Sequence, residues 1–456
     1  MKKETILTLF ITGIAVAFTG CSDSSEKQIE STSKNKSPQS AVPNSFAEVT
    51  SKLDTNGDVF VYYSTEDVIA TIEKYAETAG AQAVKSIEAG PMEDAMMESG
   101  MNIGKAMYEQ SGIKDISGMG MSSIELESGM FRNKMVIHHD PEKSNGKLWP
   151  LLGSEPHEID MLKFLPEDTA LAFSHEINLK ALLDWLPELI KAAGNPMLKQ
   201  QFDQSIEMAN AEMDLTDLVT SFDNEIGMFV TLDASQKMQL PPPAGEIPLL
   251  GFALMAKVKD DKISDLLFSI LENTTGPEIE KKTVSGIEML VVNEPVPMPI
   301  PFAPAVFRLG KFLVVANTED LAKQIVATQN GSKKNLSSTE EFQRLAKDLE
   351  LKANHFFFAS EQVGSTMSPI LKQAMNAGGL PEGFLGLDSN DSYNLQTLGV
   401  IRMDTDSIMV ENHSQNGLFN SVMMQAGVIP ASVGAGMILP ALADARERAQ
   451  SISSEQ

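Results

Sequence analysis

The sequence predicts an α+β fold, built as tandem strand-helix units with largely antiparallel sheets covered by helices on one face. Three observations predict it. First, one strand-to-helix sentence recurs: Asp58-Val59-Phe60-Val61-Tyr62-Tyr63 leads through Ser64-Thr65-Glu66-Asp67 into a helical period, and Lys311-Phe312-Leu313-Val314-Val315-Ala316 leads through Asn317-Thr318-Glu319-Asp320 into another, with Thr-Glu-Asp identical. Second, glycines interrupt apolar alternations at 284–292 and 305–312, as hairpins or bulges do. Third, strands outnumber the crossovers that a parallel sheet requires.

The elements follow in order. Period two marks strands at 58–63, 123–127, 130–138, 169–173, 225–232, 249–258, 284–292, 305–316, 355–358, 394–403 and 407–412. Period 3.6 marks helices at 68–85, 93–110, 179–193, 198–214, 261–271, 321–327, 339–349 and 367–375. Ser64 with Asp67, and Asn317 with Asp320, have N-cap and N3 spacing, where side-chain oxygens accept the orphan amides of a helix start. Pro241 to Pro243 and the run from Pro295 to Pro304 cannot join a central ladder and are expected as extended loops.

Composition limits the function. The 456 residues carry 62 acidic against 36 Lys and Arg side chains, a net charge of −26, which excludes nucleic acid as a partner. A chain this long splits its core, so we expect a first α/β unit at 49–160, a second at 161–350 and a third, partial one at 351–418. A single cysteine provides no disulfide framework.

The N-terminus supplies an address. Lys2 and Lys3 precede an uncharged stretch at 5–20, too short for a stable membrane span and suited to a secretory signal. Phe18-Thr19-Gly20-Cys21 resembles the lipobox of bacterial lipoproteins, with Phe18 in place of the usual leucine. That resemblance implies cleavage after a signal peptide at 1–20 and acylation of Cys21, with membrane lipid as a partner and anchor. An ordinary signal peptide leaving a free cysteine is the competing reading. Ser22 after the cysteine resembles the outer-membrane sorting pattern, so the expected place is the outer membrane or periplasmic face. Residues 21–48 are polar and serine-rich and read as a disordered tether, about 25–30 Å in r.m.s. length.

A second resemblance concerns the body. Leu165-Pro166-Glu167-Asp168-Thr169, followed by a strand, a helix and glycine-containing hairpins, is similar to uncharacterised bacterial envelope proteins whose repeats open with Leu-Pro-x-Asp-Thr. It spans roughly 160–365, implies architecture and exported location, and carries over no catalytic residues.

No catalytic motif survives inspection. Asp54-Thr55-Asn56-Gly57-Asp58 starts like a calcium loop but lacks glycine at position six and glutamate at twelve. His138 and His139 are adjacent in a strand and point to opposite faces; His157, His175, His355 and His413 are scattered without ligand spacing. Ser111 with Lys114, and Ser144 with Lys147, match Ser-x-x-Lys without the companion motifs. No cofactor or metal is predicted from these patterns.

Two features suggest binding. Nine of the 26 methionines fall between Met92 and Met135, and Met92, Met96, Met97 and Met101 share one helix, as core, as a hydrophobic groove, or as thioethers for Cu(I). Pro297, Pro299, Pro301 and Phe302 form an apolar loop, either an arm for an envelope protein partner or a cover for the chain's own sheet edge. The tail at 419–456 is hydrophobic with a polar end. It reads as a membrane contact, a docked helix or an assembly segment. The expectation is a lipid-anchored envelope protein with a non-catalytic binding or structural role. The alternative is an envelope hydrolase whose site is not written in motifs.

Overall fold

The computed structural model describes residues 45–57, 59–65, 91–127, 129–140, 146–212, 214–239, 246–273, 279–293, 302–364, 366 and 396–415. Its strands are β1 (Val59–Ser64), β2 (Ile116–Glu125), β3 (Phe131–His139), β4 (His157–Glu158), β5 (Thr169–Glu176), β6 (Phe222–Gln239), β7 (Glu246–Val258), β8 (Ile279–Val284), β9 (Ile287–Val292), β10 (Ala305–Leu309), β11 (Phe312–Ala316), β12 (Lys352–Ala353), β13 (His355–Ala359), β14 (Thr397–Met403) and β15 (Ser407–Ser414). Its helices are α1 (Phe46–Ser51), α2 (Pro91–Ser111), α3 (Leu148–Leu151), α4 (Leu179–Ala192), α5 (Pro196–Glu212), α6 (Leu215–Thr220), α7 (Lys262–Asn273), α8 (Glu319–Gln329) and α9 (Glu340–Ala346).

The fold is α+β with one large antiparallel sheet. Thirteen strands run in the order β1-β2-β3-β15-β14-β13-β5-β6-β7-β11-β10-β9-β8, and β4 with β12 forms a separate two-stranded ladder. Strands from all three predicted units enter the large sheet. Its middle is the pair β5 and β13, in register from Leu171 opposite Ala359 to His175 opposite His355.

The central strands are buried on both sides, so both sides need cover. Along β11, Phe312, Val314 and Ala316 pack with Leu321 and Ile325 of α8 and Phe342 of α9, whereas Leu313 packs, with Val315 beside it, against Ile263 and Leu267 of α7. Neighbouring residues of a strand face opposite ways. Helices therefore lie on both faces at this strand, which corrects the expectation of a single covered face.

Local chemistry explains the boundaries. Ser285 and Gly286, at φ 51° and 83°, form the turn between β8 and β9, and Gly310, at φ 61°, turns β10 into β11, so the predicted glycines are hairpin turns. β2 begins well before the predicted strand, at Ile116, and the added stretch Ile116-Ser117-Gly118-Met119-Gly120 lacks the apolar alternation that marks a strand in sequence. Its glycine serves packing: a Cβ on Gly120 would lie 2.5 Å from Val49 Cγ1 and 2.7 Å from Leu53 Cδ1, so α1 can only lie down on a bare backbone there. The cap assigned to Asn317 is also corrected. Thr318 caps α8, its Oγ1 accepting from Leu321 N at 3.2 Å. Asn317 is buried, and its Oδ1 accepts from Phe252 N at 2.8 Å, the last rung tying β11 to β7.

The predicted helix at 68–85, the one at 367–375, the first proline run and the tail beyond 415 lie outside the described residues. Among the described residues no helix is long and apolar enough to cross a membrane.

Candidate functional site

Buried charge gathers where β5 meets β13, beside the β4 and β12 ladder. Glu176 ends β5 and is 6% exposed. Its carboxylate accepts from Asn354 Nδ2 at 2.7 Å, from Ser154 Oγ at 3.1 Å, and from His157 Nε2 at 3.3 Å. Asn354 lies between β12 and β13 and works in three directions. Its Nδ2 also donates to the Ser154 carbonyl at 2.9 Å, and its Oδ1 accepts from Met403 N at 2.7 Å. Gly153, at φ 134°, makes room: a Cβ there would sit 2.8 Å from Asn354 Nδ2 and 2.9 Å from Glu176 Oε2.

A second carboxylate lies on the neighbouring strand β6, opposite Glu176 in the ladder. Glu225 of β6, 2% exposed, accepts from Ser174 Oγ at 3.1 Å and pairs with Lys257 Nζ of β7 at 3.3 Å. Lys257 also reaches Asp160 at 2.9 Å, and Lys163 holds Asp160 from outside at 2.7 Å. Glycine again sets the approach, since the turn of 3₁₀ helix carrying Asp160 seats Met161 directly over Gly227 of β6.

Protonation follows from these partners. The Glu176 hydrogen bond lifts the His157 imidazole to about 9, against the opposing pull of burial, so His157 is a cation at neutral pH. Burial alone would raise Glu176, yet the bonds from His157, Asn354 and Ser154 outweigh it and hold the carboxyl below its ordinary value. Asp160 goes the same way, down to about 2, as Lys163 and Lys257 overcome burial. Burial would depress Lys257, but Asp160 and Glu225 raise it.

Two further histidines sit on the other face of the same strand pair. His175 Nδ1 and His355 Nδ1 are 3.3 Å apart, beside Phe173 and Phe357, whose ring centroids are 5.1 Å apart. Burial drives both imidazoles down, His175 to about 3 and His355 to about 4, so both are neutral at pH 7. His355 also bonds the Leu152 carbonyl. Across the gap one Nδ1 donates and the other accepts, and His175 Nε2 is enclosed without a hydrogen-bond partner among the described residues.

The arrangement holds structure well and offers little for chemistry. His157 spends Nε2 on Glu176 and Nδ1 on the Glu158 carbonyl at 3.0 Å, so neither nitrogen is free to take a proton from a nucleophile. Among the described residues no three His, Cys, Asp or Glu side chains converge to hold a metal.

The residues singled out in the sequence lie elsewhere. Cys21, Pro297, Pro299 and Pro301 fall outside the described residues, as do the side chains of Met92 and Met97. Met96 and Met101, on α2, are 68% and 40% exposed and stand outside the cluster in which Ala106, with Ile103 and Met107, packs against Leu182, Trp185 and Leu189 of α4. Phe302 stacks on Phe252 of β7, with centroids 6.1 Å apart, so this end of the proline loop lies on the chain's own sheet. Asp54 is occupied by Arg132 at 2.8 Å and Lys134 at 3.3 Å. Ser111 Oγ donates to the Tyr108 carbonyl and accepts from Ile113 N, which is capping. His139 stacks on Trp149, with centroids 4.5 Å apart, and His138 bonds Ser117 at 2.6 Å.

Glu176, Glu225, Lys257 and Asn354 carried no signal in the sequence. A cue existed for the histidines: His175 stands at the end of one strand and His355 at the start of another, which aligns them if the strands pair antiparallel. Comparison with known proteins adds no further constraint. No family model matches the chain, and no curated protein or solved structure matches it.

Proposed function

We propose that the chain is a lipid-anchored protein of the bacterial envelope with a non-catalytic binding or structural role. One observation carries the second half of this reading: at the sheet centre each buried charge is neutralised by another group of the same chain, and His157, the one cationic imidazole there, has both ring nitrogens committed. A catalytic acid or base must exchange its proton with a substrate; this one is locked in an internal pair. The address rests on Phe18-Thr19-Gly20-Cys21 behind a charged and then apolar leader. The helices packed on both faces of β11 support a structural role for the sheet.

Two measurements test the reading separately. Mass spectrometry of the chain from its native membrane should find Cys21 as the N-terminus, carrying acyl chains; an intact Met1 without lipid ends the anchoring half. Incubation with fluorogenic esters, glycosides and phosphoesters should give no turnover beyond that of His157→Ala. Turnover that His157→Ala removes would replace the binding role with the hydrolase.

A further inference from the structure

Packing alone does not account for the histidine pair at the sheet centre. His175 and His355 stand opposite each other in the ladder of β5 and β13, so their side chains leave the same face of the sheet side by side. Their Nδ1 atoms are 3.3 Å apart and their ring centroids 5.4 Å. The second distance is close to the most that two imidazoles can span across such a contact, so the two nitrogens lie nearly on the line joining the rings. They point at each other. Phe173 and Phe357 fill the next positions of the same face. His355 is 7% exposed, and His175 Nε2 is enclosed without a hydrogen-bond partner among the described residues. Two apolar side chains would continue this wall and leave no polar atom orphaned; an enclosed orphan calls for another explanation, an ion among them.

We propose that His175 and His355 form a two-coordinate Cu(I) site, with the ion held in line between the two Nδ1 atoms. The ligand count selects the ion. Zinc and calcium demand four or more ligands, and among the described residues no three His, Cys, Asp or Glu side chains converge. A monovalent d¹⁰ ion is satisfied by two donors in line, and imidazole is a donor that copper accepts. A single positive charge also costs less than a double one beside Phe173 and Phe357. The distance agrees: imidazole nitrogens lie about 2.0 Å from a bound ion, so two in line span about 4 Å, and the rings have only to part slightly from 3.3 Å. The ion takes the place of the proton in the gap. That proton passes from the donating Nδ1 to the other nitrogen of the same ring, so binding releases no net proton. His355 is already bonded to the Leu152 backbone, and outer bonds of this kind fix the orientation of a ligand ring. His175 keeps some surface, which leaves the ion a way in. The site gives the binding role a ligand, and its failure would leave the structural role and the anchor standing.

The test is an anaerobic titration of the full chain with Cu(I) against a chromophoric chelator, with Cys21→Ser removing the one thiol. The chain should take one equivalent from the chelator, and X-ray absorption should find the ion between two nitrogen neighbours, without sulfur. His175→Phe with His355→Phe should lose that equivalent. Circular dichroism checks that this double variant folds. Should it not fold, the absorption spectrum of the chain with both histidines decides, since sulfur neighbours would put the ion on methionine thioethers and overturn the proposal. A chain that takes no Cu(I) overturns it as well. So does a folded double variant that still takes the equivalent.

Discussion

His175 and His355 meet Nδ1 to Nδ1 at 3.3 Å across the central strand pair, one at the end of β5 and the other at the start of β13. Both are neutral in the folded protein because burial lowers them, to about 3 and about 4. In the unfolded chain an imidazole titrates near 6.5, about three units higher. Below that point the unfolded state binds more protons, so stability falls as pH drops from about 6.5 through 4. Urea midpoints measured across this window should decline, and His175→Phe with His355→Phe should flatten the decline. An unchanged slope in that double variant would remove the dyad as its cause.

His157 has the opposite sign. Its folded value, about 9, lies above the unfolded one, so the stability it contributes is complete below about 6.5 and is lost as pH rises through 9. Urea midpoints should therefore peak near neutrality and fall again on the alkaline side. His157→Gln keeps a donor towards Glu176 but cannot titrate, and should abolish the alkaline fall.

Asn354→Ala removes one of two donors to Glu176 Oε2, the other being His157, together with the side-chain partners of Met403 N and of the Ser154 carbonyl. Leaving buried backbone groups unpaired and weakening the hold on Glu176 should cost about 2–4 kcal/mol. Gly153→Ala attacks the same knot sterically, since its Cβ meets Asn354 and Glu176 in a left-handed backbone, and should cost about 2–3 kcal/mol. The two variants share a target, so the double variant should lose less than the sum in a urea titration.

The corrected cap makes a discriminating pair. Thr318→Ala deletes a helix cap and should cost about 1 kcal/mol. Asn317→Ala breaks a buried bond to the β7 backbone and should cost about 1–3 kcal/mol. Hydrogen exchange separates them: the first variant loosens amides at the start of α8, the second exposes Phe252 N.

Lys257→Met leaves Glu225 charged and without its cation in a nearly closed site, and should destabilise by about 3–5 kcal/mol in a urea titration. Adding Glu225→Gln should recover a substantial part, because the uncompensated charge then disappears.

Elements with strong periodicity were legible in the sequence. Phe312 to Ala316 and His355 to Ala359 are strands because each is a short run dominated by aromatic and aliphatic side chains, Phe312, Val314 and Val315 in one and Phe356 to Phe358 in the other, and Gly286 marks a turn because it adopts positive φ without a Cβ clash. Ile116 to Gly120 was not legible, since its glycine at 120 answers to α1 packing above it rather than to strand propensity. The site was hidden for a related reason. Glu176 with Asn354, and His175 with His355, are joined by pairings nearly two hundred positions apart, which no local window contains. Asn317 misled because its spacing suits a cap while its burial serves a ladder.

The order of the strands also dictates the order of events in synthesis. β3 lies beside β15, and Asn133 bonds Asn412 across 279 positions, so the N-terminal hairpin keeps an unfinished flank until nearly the whole body has been made. A ribosome-bound fragment ending before residue 407 would carry that flank open. Such long-range closure makes for slow assembly, and truncated or stalled chains are the ones that should aggregate.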